Sequence, residues 1–216
     1  MMGFIDKFRN LNECRINSSI YDAYYNSELE DDVVYVESRN GFDFTGNLFR
    51  IVEELSTGKY GNFRIYVFAE SHVNHKIDEY RKNYDLNIHE IINSPDRACE
   101  ILHRAKYVFT DSGIRYKYVK KPGQVFVNTW HGTIMKLMGI DNSYERLTMG
   151  IIQRSILFSD YLIFPSDYLK ERLLKSFMLE DVYPGKILLW GYPRNSVFLD
   201  ESKSIDFRTR FGLENH

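Results

Sequence analysis

Short apolar runs recur along the chain. Each is closed by glycine or a polar turn, and each is followed by a stretch in which apolar side chains return every three or four positions. The runs are rich in Val, Ile, Tyr and Phe and predict strands at 33–36, 63–68, 88–92, 107–110, 125–127, 161–164 and 187–190. Between them, the helical period predicts helices at 47–55, 72–82, 95–105, 144–159 and 167–175. In the first of these, Leu48, Ile51, Val52 and Leu55 share one face. Ser94 caps its helix, Pro95 takes the first turn and Asp96 suits the dipole, while Ser166 caps the last helix. A helical, amphipathic stretch opens the chain through about residue 29, with Phe4, Phe8 and Leu11 on one face and Ile16, Ile20 and Tyr24 on another. About seven strands are thus joined by crossover helices. That is the pattern of an α/β protein built on a doubly wound, Rossmann-like parallel sheet. The expected division is a helical segment at 1–30, one Rossmann-like domain at 31–200 and a polar tail at 201–216. No repeat or low-complexity segment interrupts it.

The stretch from Gln124 to Thr133 is the centre of this pattern. Val125, Phe126 and Val127 form a run of the kind buried on both faces of a sheet, and the run stops at Trp130, His131, Gly132 and Thr133. His131 is therefore expected at the carboxyl end of a central strand, where open α/β sheets bind ligands. Gly132 is expected where a side chain would clash. Thr133 is expected to cap a helix over 134–138 whose free amides would favour an anion. A single histidine at a strand end is more often a hydrogen-bonded structural residue, and Trp130 argues for a shaped, partly apolar pocket. Two other strand exits, at 41–47 and 191–195, share this mixture of glycine and polar groups. In a parallel sheet all three lie on one rim, although turns use the same residue types.

Composition narrows the choices. The chain has 216 residues, 44% hydrophobic and 15% aromatic, enough for a real core and unlike a disordered chain. A net charge of -2 gives no global electrostatic case for nucleic acid. Cys14 and Cys99 have no metal-like spacing and suit a reducing compartment. The opening residues lack the apolar region of a signal peptide, and no run approaches the ~18 residues of a membrane span. A soluble or peripheral protein is expected. The face of Phe4, Phe8 and Leu11, with Lys7 and Arg9 opposite, would lie on a membrane or pack on the rest of the chain. Neither G-x-G-x-x-G nor a P-loop is present, so no cofactor is expected. His72 and His75 lack further ligands for zinc, so no metal is expected. Asp111-Ser112 and Ser166-Asp167 read as caps and turns. Arg115, Lys117, Lys120 and Lys121, interleaved with Tyr116 and Tyr118, would meet phosphates of a membrane or polymer, or form a solvated edge strand.

Several motifs in register resemble one family. Asn128-Thr129-Trp130-His131-Gly132-Thr133, followed by Lys136 and Gly139, resembles the N-T-W-H-G-T-P-x-K-x-x-G signature of the CDP-glycerol glycerophosphotransferases, the primases and polymerases of wall teichoic acid. Glu37-Ser38-Arg39-Asn40-Gly41 with Gly46-Asn47 resembles the family's first strand exit and G-N-P turn. Ala105-Lys106-Tyr107 is similar to its A-K-Y segment, and Gly191-Tyr192-Pro193-Arg194-Asn195 to its G-Y-P-R-N-D exit. The match runs from about Val33 to Leu199. Ile134 and Leu48 stand where proline is usual, and Ser196 where aspartate is usual.

The resemblance implies a chain similar to the N-terminal, acceptor-side domain of a GT-B glycosyltransferase, with 201–216 a linker toward a second, donor-binding domain that is missing here. It implies transfer of glycerol phosphate from CDP-glycerol to the hydroxyl of a lipid-linked glycerol-phosphate acceptor in cell-wall polymer synthesis. The catalytic base would be His131, with substrate contacts from Gly46, Asn47, Trp130, Gly132, Thr133, Lys136, Arg194 and Asn195. The setting would be the bacterial cytoplasm, at the inner face of the cell membrane and in contact with anionic lipid. The competing expectations are a non-catalytic half-domain that binds an acceptor or partner, and a transferase using CDP-ribitol or a nucleotide sugar.

Overall fold

The computed structural model describes residues 23–114, 118–199 and 211–212. Seven strands form one sheet: β1 (Glu30–Glu37), β2 (Arg64–Phe68), β3 (Ile88–Ile92), β4 (Ala105–Thr110), β5 (Val125–Asn128), β6 (Tyr161–Ile163) and β7 (Lys186–Leu188). Every pairing is parallel and the order is β3-β2-β1-β4-β5-β6-β7. The crossovers carry α1 (Gly46–Ser56), α2 (Asn74–Tyr84), α3 (Pro95–Arg104), α4 (Gly150–Phe158) and α5 (Asp167–Ser176). This is the doubly wound sheet that the alternation predicts. Strand order reverses between β1 and β4, and at that switch point the connections leave in opposite directions and open a crevice.

The period-2 geometry of a strand explains why the apolar runs are continuous. Val34 and Val36 of β1 face a cluster with Leu48, Phe49 and Val52 of α1 and Ile77 of α2. Val33 and Tyr35 face the opposite cluster, with Ala98, Ile101 and Leu102 of α3 and Phe126 of β5. Both faces are covered, so neither phase of the alternation can be polar. A third cluster beyond β5 joins Trp130, Leu162 and Phe164 to Leu169 and Leu173 of α5 and to Phe177. The two predicted caps form: Ser94 Oγ accepts from the Arg97 amide and Ser166 Oγ from the Leu169 amide, both at 3.4 Å.

Four expectations are corrected. Residues 134–138 form no helix, so Thr133 caps nothing. The segment is short, and Gly139 at φ +57 packs its backbone against the Ser176 carbonyl. So few residues cannot repay helix nucleation, and Ile134 is instead drawn into the third cluster while Met135 and Leu137 are left exposed. The helix expected over 144–159 begins only at Gly150, after a run of turns. Lys120 and Lys121 are no solvated basic edge. Lys121 is buried with Nζ on the Ser27 and His103 carbonyls, Lys120 pairs with Asp160, and Tyr118 lies in the core. Burial holds the Lys121 ammonium below its ordinary pKa. Finally, a side chain at Gly132 would meet nothing within 4 Å, so steric clash does not explain that glycine.

The amphipathic positions Phe4, Phe8, Leu11, Ile16 and Ile20 lie outside the described residues, as do Cys14, Arg115, Tyr116, Lys117 and nearly all of 201–216. Among the described residues no helix is long and apolar enough to cross a membrane.

Candidate active site

The exits of β1, β4 and β5 meet above the switch point. Arg39, Asn40, Phe42 and Asp43 follow β1, Ser112 follows β4, and Trp130, His131 and Met138 follow β5. With Ile152 of α4 they line a cleft of about 420 Å³. The backbone here is unusual. Arg39, Asn40 and Trp130 all have positive φ, at +51, +55 and +53, as does Gly41 at +81. Left-handed geometry at a non-glycine residue costs on the order of 1–3 kcal/mol and persists only where surrounding contacts impose it.

Those contacts can be named. Asp111 is buried at the end of β4, and its carboxylate accepts from Ser38 Oγ at 2.9 Å, the Arg39 amide at 2.7 Å and Ser112 Oγ at 3.2 Å. One side chain thus clamps the β1 exit to the β4 exit. Asn128 works alongside it: Nδ2 donates to the Ser112 carbonyl at 2.9 Å, and Oδ1 accepts from the Trp130 amide at 2.8 Å. That second bond helps to hold Trp130 in its left-handed turn, and the turn brings the indole against the imidazole of His131, with centroids 4.5 Å apart and planes 30° apart.

His131 Nδ1 lies 2.7 Å from the main-chain carbonyl of Asp111. A carbonyl oxygen only accepts, so Nδ1 carries the proton and Nε2 holds the lone pair. The partly buried ring is fixed by stacking on one side and by this bond at its edge, and it forms part of the cleft wall. That is the arrangement a general base requires.

The other expected residues sort into two groups. Gly46, Asn47 and Arg194 are brought to His131. Asn47 is buried, and its Nδ2 donates to the Trp130 carbonyl at 3.1 Å and to Thr129 Oγ1 at 3.3 Å, while its Oδ1 accepts from the Arg194 amide at 3.3 Å. It therefore ties together the exits at 41–47, 130–133 and 191–195. The Arg194 guanidinium donates to the His131 carbonyl at 3.1 Å and lies 4.7 Å from the centre of the Tyr192 ring. Burial pushes the Tyr192 hydroxyl up to about 12, with the Arg194 charge working the other way. Gly46, at φ +65, keeps the α1 entrance beside Arg194 free of a side chain. Thr133, Lys136 and Asn195 are exposed and are not among the residues lining the cleft.

Sequence reasoning passed over Asp111, Ser112, Arg39 and Asn40 as site residues. The adjacent hydroxyl and carboxylate at 111–112 were visible but carry the same signature as any turn. Among the described residues no group of three or more His, Cys, Asp or Glu side chains is placed to hold a metal ion. His72 and His75 are exposed on and just before α2.

The chain is 30% identical over 95 residues to the teichoic acid poly(glycerol phosphate) polymerase of Staphylococcus epidermidis, covering 41% of the chain and 13% of that polymerase. Solved structures of the wall teichoic acid polymerase TagF superpose on nearly the whole chain. A His-to-Asn variant soaked with CDPG matches with TM-score 0.67 at 16% identity, over 97% of this chain and 54% of TagF. A His-to-Ala variant matches with TM-score 0.66 at 20% identity, over 98% and 54%. The chain thus spans about half the length of the solved polymerase, and at these identities the superpositions establish the fold. A sequence model described as CDP-glycerol:poly(glycerophosphate) glycerophosphotransferase matches residues 19–216, and the chain belongs to that family.

Proposed function

We propose that this chain forms the acceptor side of a glycerophosphotransferase that builds a teichoic-acid-type polymer from CDP-glycerol. The observation that carries the reading is the hydrogen bond from His131 Nδ1 to the Asp111 carbonyl, which leaves Nε2 as a base at the wall of the cleft. The terminal hydroxyl of a lipid-linked glycerol-phosphate acceptor attacks the β-phosphorus of CDP-glycerol. Its proton passes to His131 Nε2, the bond between phosphorus and the CMP oxygen breaks, and CMP leaves with the electron pair. Without a helix at 134–138, the growing negative charge falls to the guanidiniums of Arg39 and Arg194. Thr133, Lys136 and Asn195 contact substrate from the exposed rim, while Asn47 acts by holding the three exits in register. The donor pocket belongs to a second domain, and a lipid-linked acceptor places the work at the inner face of the cell membrane.

The test is His131→Ala in a protein that joins this chain to its donor domain, with release of CMP followed. Loss of about 10²–10⁴-fold in turnover is expected for removal of a general base. Unchanged turnover removes His131 from the mechanism. A second reading is a half-domain that binds the acceptor without doing chemistry. It requires that adding the donor domain produce no CMP release with CDP-glycerol, CDP-ribitol or a nucleotide sugar.

A further inference from the structure

Beside the histidine cleft is a second hollow of about 270 Å³ between α1 and α2, lined by Gly46, Phe49, Arg50, Tyr80, Tyr84 and Arg194. The transfer chemistry above draws on it only through Arg194, yet its composition is selective. Its aromatic side is a triad packed edge to face: Phe49 lies 5.2 Å from Tyr80 and 5.0 Å from Tyr84, and the two tyrosines lie 5.8 Å apart. Phe49 is core, but Tyr84 is 49% exposed, so part of this aromatic surface faces solvent.

Two guanidiniums reach the hollow from different elements. Arg50 on α1 is held by Glu53 and lies 5.4 Å from the Phe49 ring centre, and Arg194 is held by the His131 carbonyl and the Tyr192 ring. Each guanidinium has five N–H donors, more than these contacts occupy. The neighbouring Lys76 is paired with Asp43 at 2.6 Å, and Thr45 Oγ1 also donates to Asp43, so that carboxylate is engaged beside the hollow.

Two arginines lining the same hollow as an aromatic triad suit a ligand that alternates negative phosphate with C–H surface. The volume lies below the about 300–1,000 Å³ of pockets for drug-sized ligands, which suits one small unit of a chain. Arg194 joins the two sites, because the side chain that lines the hollow also grips the backbone of His131. We propose that the hollow is an acceptor subsite holding a glycerol phosphodiester unit of the growing polymer, behind the hydroxyl presented to His131. The proposal rests on the acceptor-side reading above. It adds a means of telling a polymer from a single glycerol.

The same glycerol phosphodiester occurs in phosphatidylglycerol, so the experiment separates the two sources. The chain is titrated by calorimetry with soluble tri(glycerol phosphate), and separately with vesicles containing phosphatidylglycerol. Binding of the soluble oligomer is expected. Arg50→Met should weaken it about tenfold through loss of a charge-assisted contact, Arg50→Lys should weaken it less, and Tyr84→Ala should weaken it severalfold. Arg81→Ala, which removes a partly exposed arginine of α2 paired with Asp78, should leave it unchanged. Absence of oligomer binding, binding to vesicles alone, displacement of the oligomer by CMP, or equal affinity in the Arg50→Met and Tyr84→Ala variants would each overturn the subsite. CMP release that still depends on His131 in those cases would leave the transfer reaction standing, whereas failure of the His131→Ala test removes the reaction itself.

Discussion

The two edges of the sheet use opposite means. At the amino end, Arg64 binds Asp32 through two contacts of 2.7 Å and also meets Glu30, which in turn pairs with Arg104. These are charged side chains at ordinary strand starts, a quarter to a half exposed. At the carboxyl end the contacts are mostly buried: Asn47 bonds to Thr129 and Asn128 to the Ser112 carbonyl, while Ser38 and Ser112 donate to the buried carboxylate of Asp111. Three non-glycine residues there are held at positive φ. Exposed ion pairs contribute about 0–1 kcal/mol each and tolerate change. Buried hydrogen bonds are costly to leave half made. The difference teaches where rigidity is needed: the edge that presents His131 is fixed by buried hydrogen bonds that are costly to leave unmade.

The largest effect is expected from Gly41→Ala. A methyl group there would strike the Phe68 ring, at a φ of +81 that disfavours any side chain. Overpacking and left-handed strain together should cost roughly 2–5 kcal/mol in urea unfolding. Gly132→Ala is the control, since nothing lies within 4 Å of its added carbon, and it should change stability by no more than about 0.5 kcal/mol. Equal effects at the two glycines would erase the account of the left-handed turn. Asn47→Ala should come next, at about 2 kcal/mol, because it strips partners from the Trp130 carbonyl and the Arg194 amide together. An effect as small as that of an exposed residue would show that the three exits are not coupled through it.

The smallest effect belongs to the amino-end edge, where Arg64→Ala should cost about 1 kcal/mol or less after allowance for solvent screening. Acid sharpens this part of the contrast. Hydrogen bonds from Arg104 and Arg64 hold Glu30 below its ordinary 4.5, and Arg64 holds Asp32 below its ordinary 3.8. Their contribution is therefore fully present above those values and is lost as pH falls through the lower, folded-state ones. Burial also holds His103 below its ordinary 6.5, so the urea midpoint should begin to fall near pH 6.5 in both proteins, and the further drop below about 4.5 should be smaller in Arg64→Ala. An identical acid profile in the variant would detach the ion pairs from stability.

Much of the frame was legible because it is written locally. Runs such as Val33 to Val36 and Phe63 to Phe68 state their own burial, and Ser94 with Pro95 states its own helix start. The segment at 134–138 misled for the same reason: its residues suit a helix in isolation, but Ile134 is claimed by the third cluster and Gly139 by a close approach to Ser176. Lys120 and Lys121 misled because charge in sequence implies solvent, whereas main-chain carbonyls and Asp160 receive them in the fold.

The residues alone determined that this chain is an α/β protein with a parallel sheet, that His131 stands at a strand end, and that its motifs run in the order of one transferase family. Tertiary structure decided the rest of the site. Asp111 reaches Ser38 and Arg39 across more than seventy positions of sequence, and Asn47 reaches Trp130 and Arg194 across still more. A positive φ at Arg39 or Trp130 is contrary to the preference of each residue taken singly, whereas asparagine at 40 adopts it more readily. Asn128 helps to set the Trp130 turn from two residues away, but the contact of Arg39 with Asp111, like that of His131 Nδ1 with the Asp111 carbonyl, forms only when the strands pair.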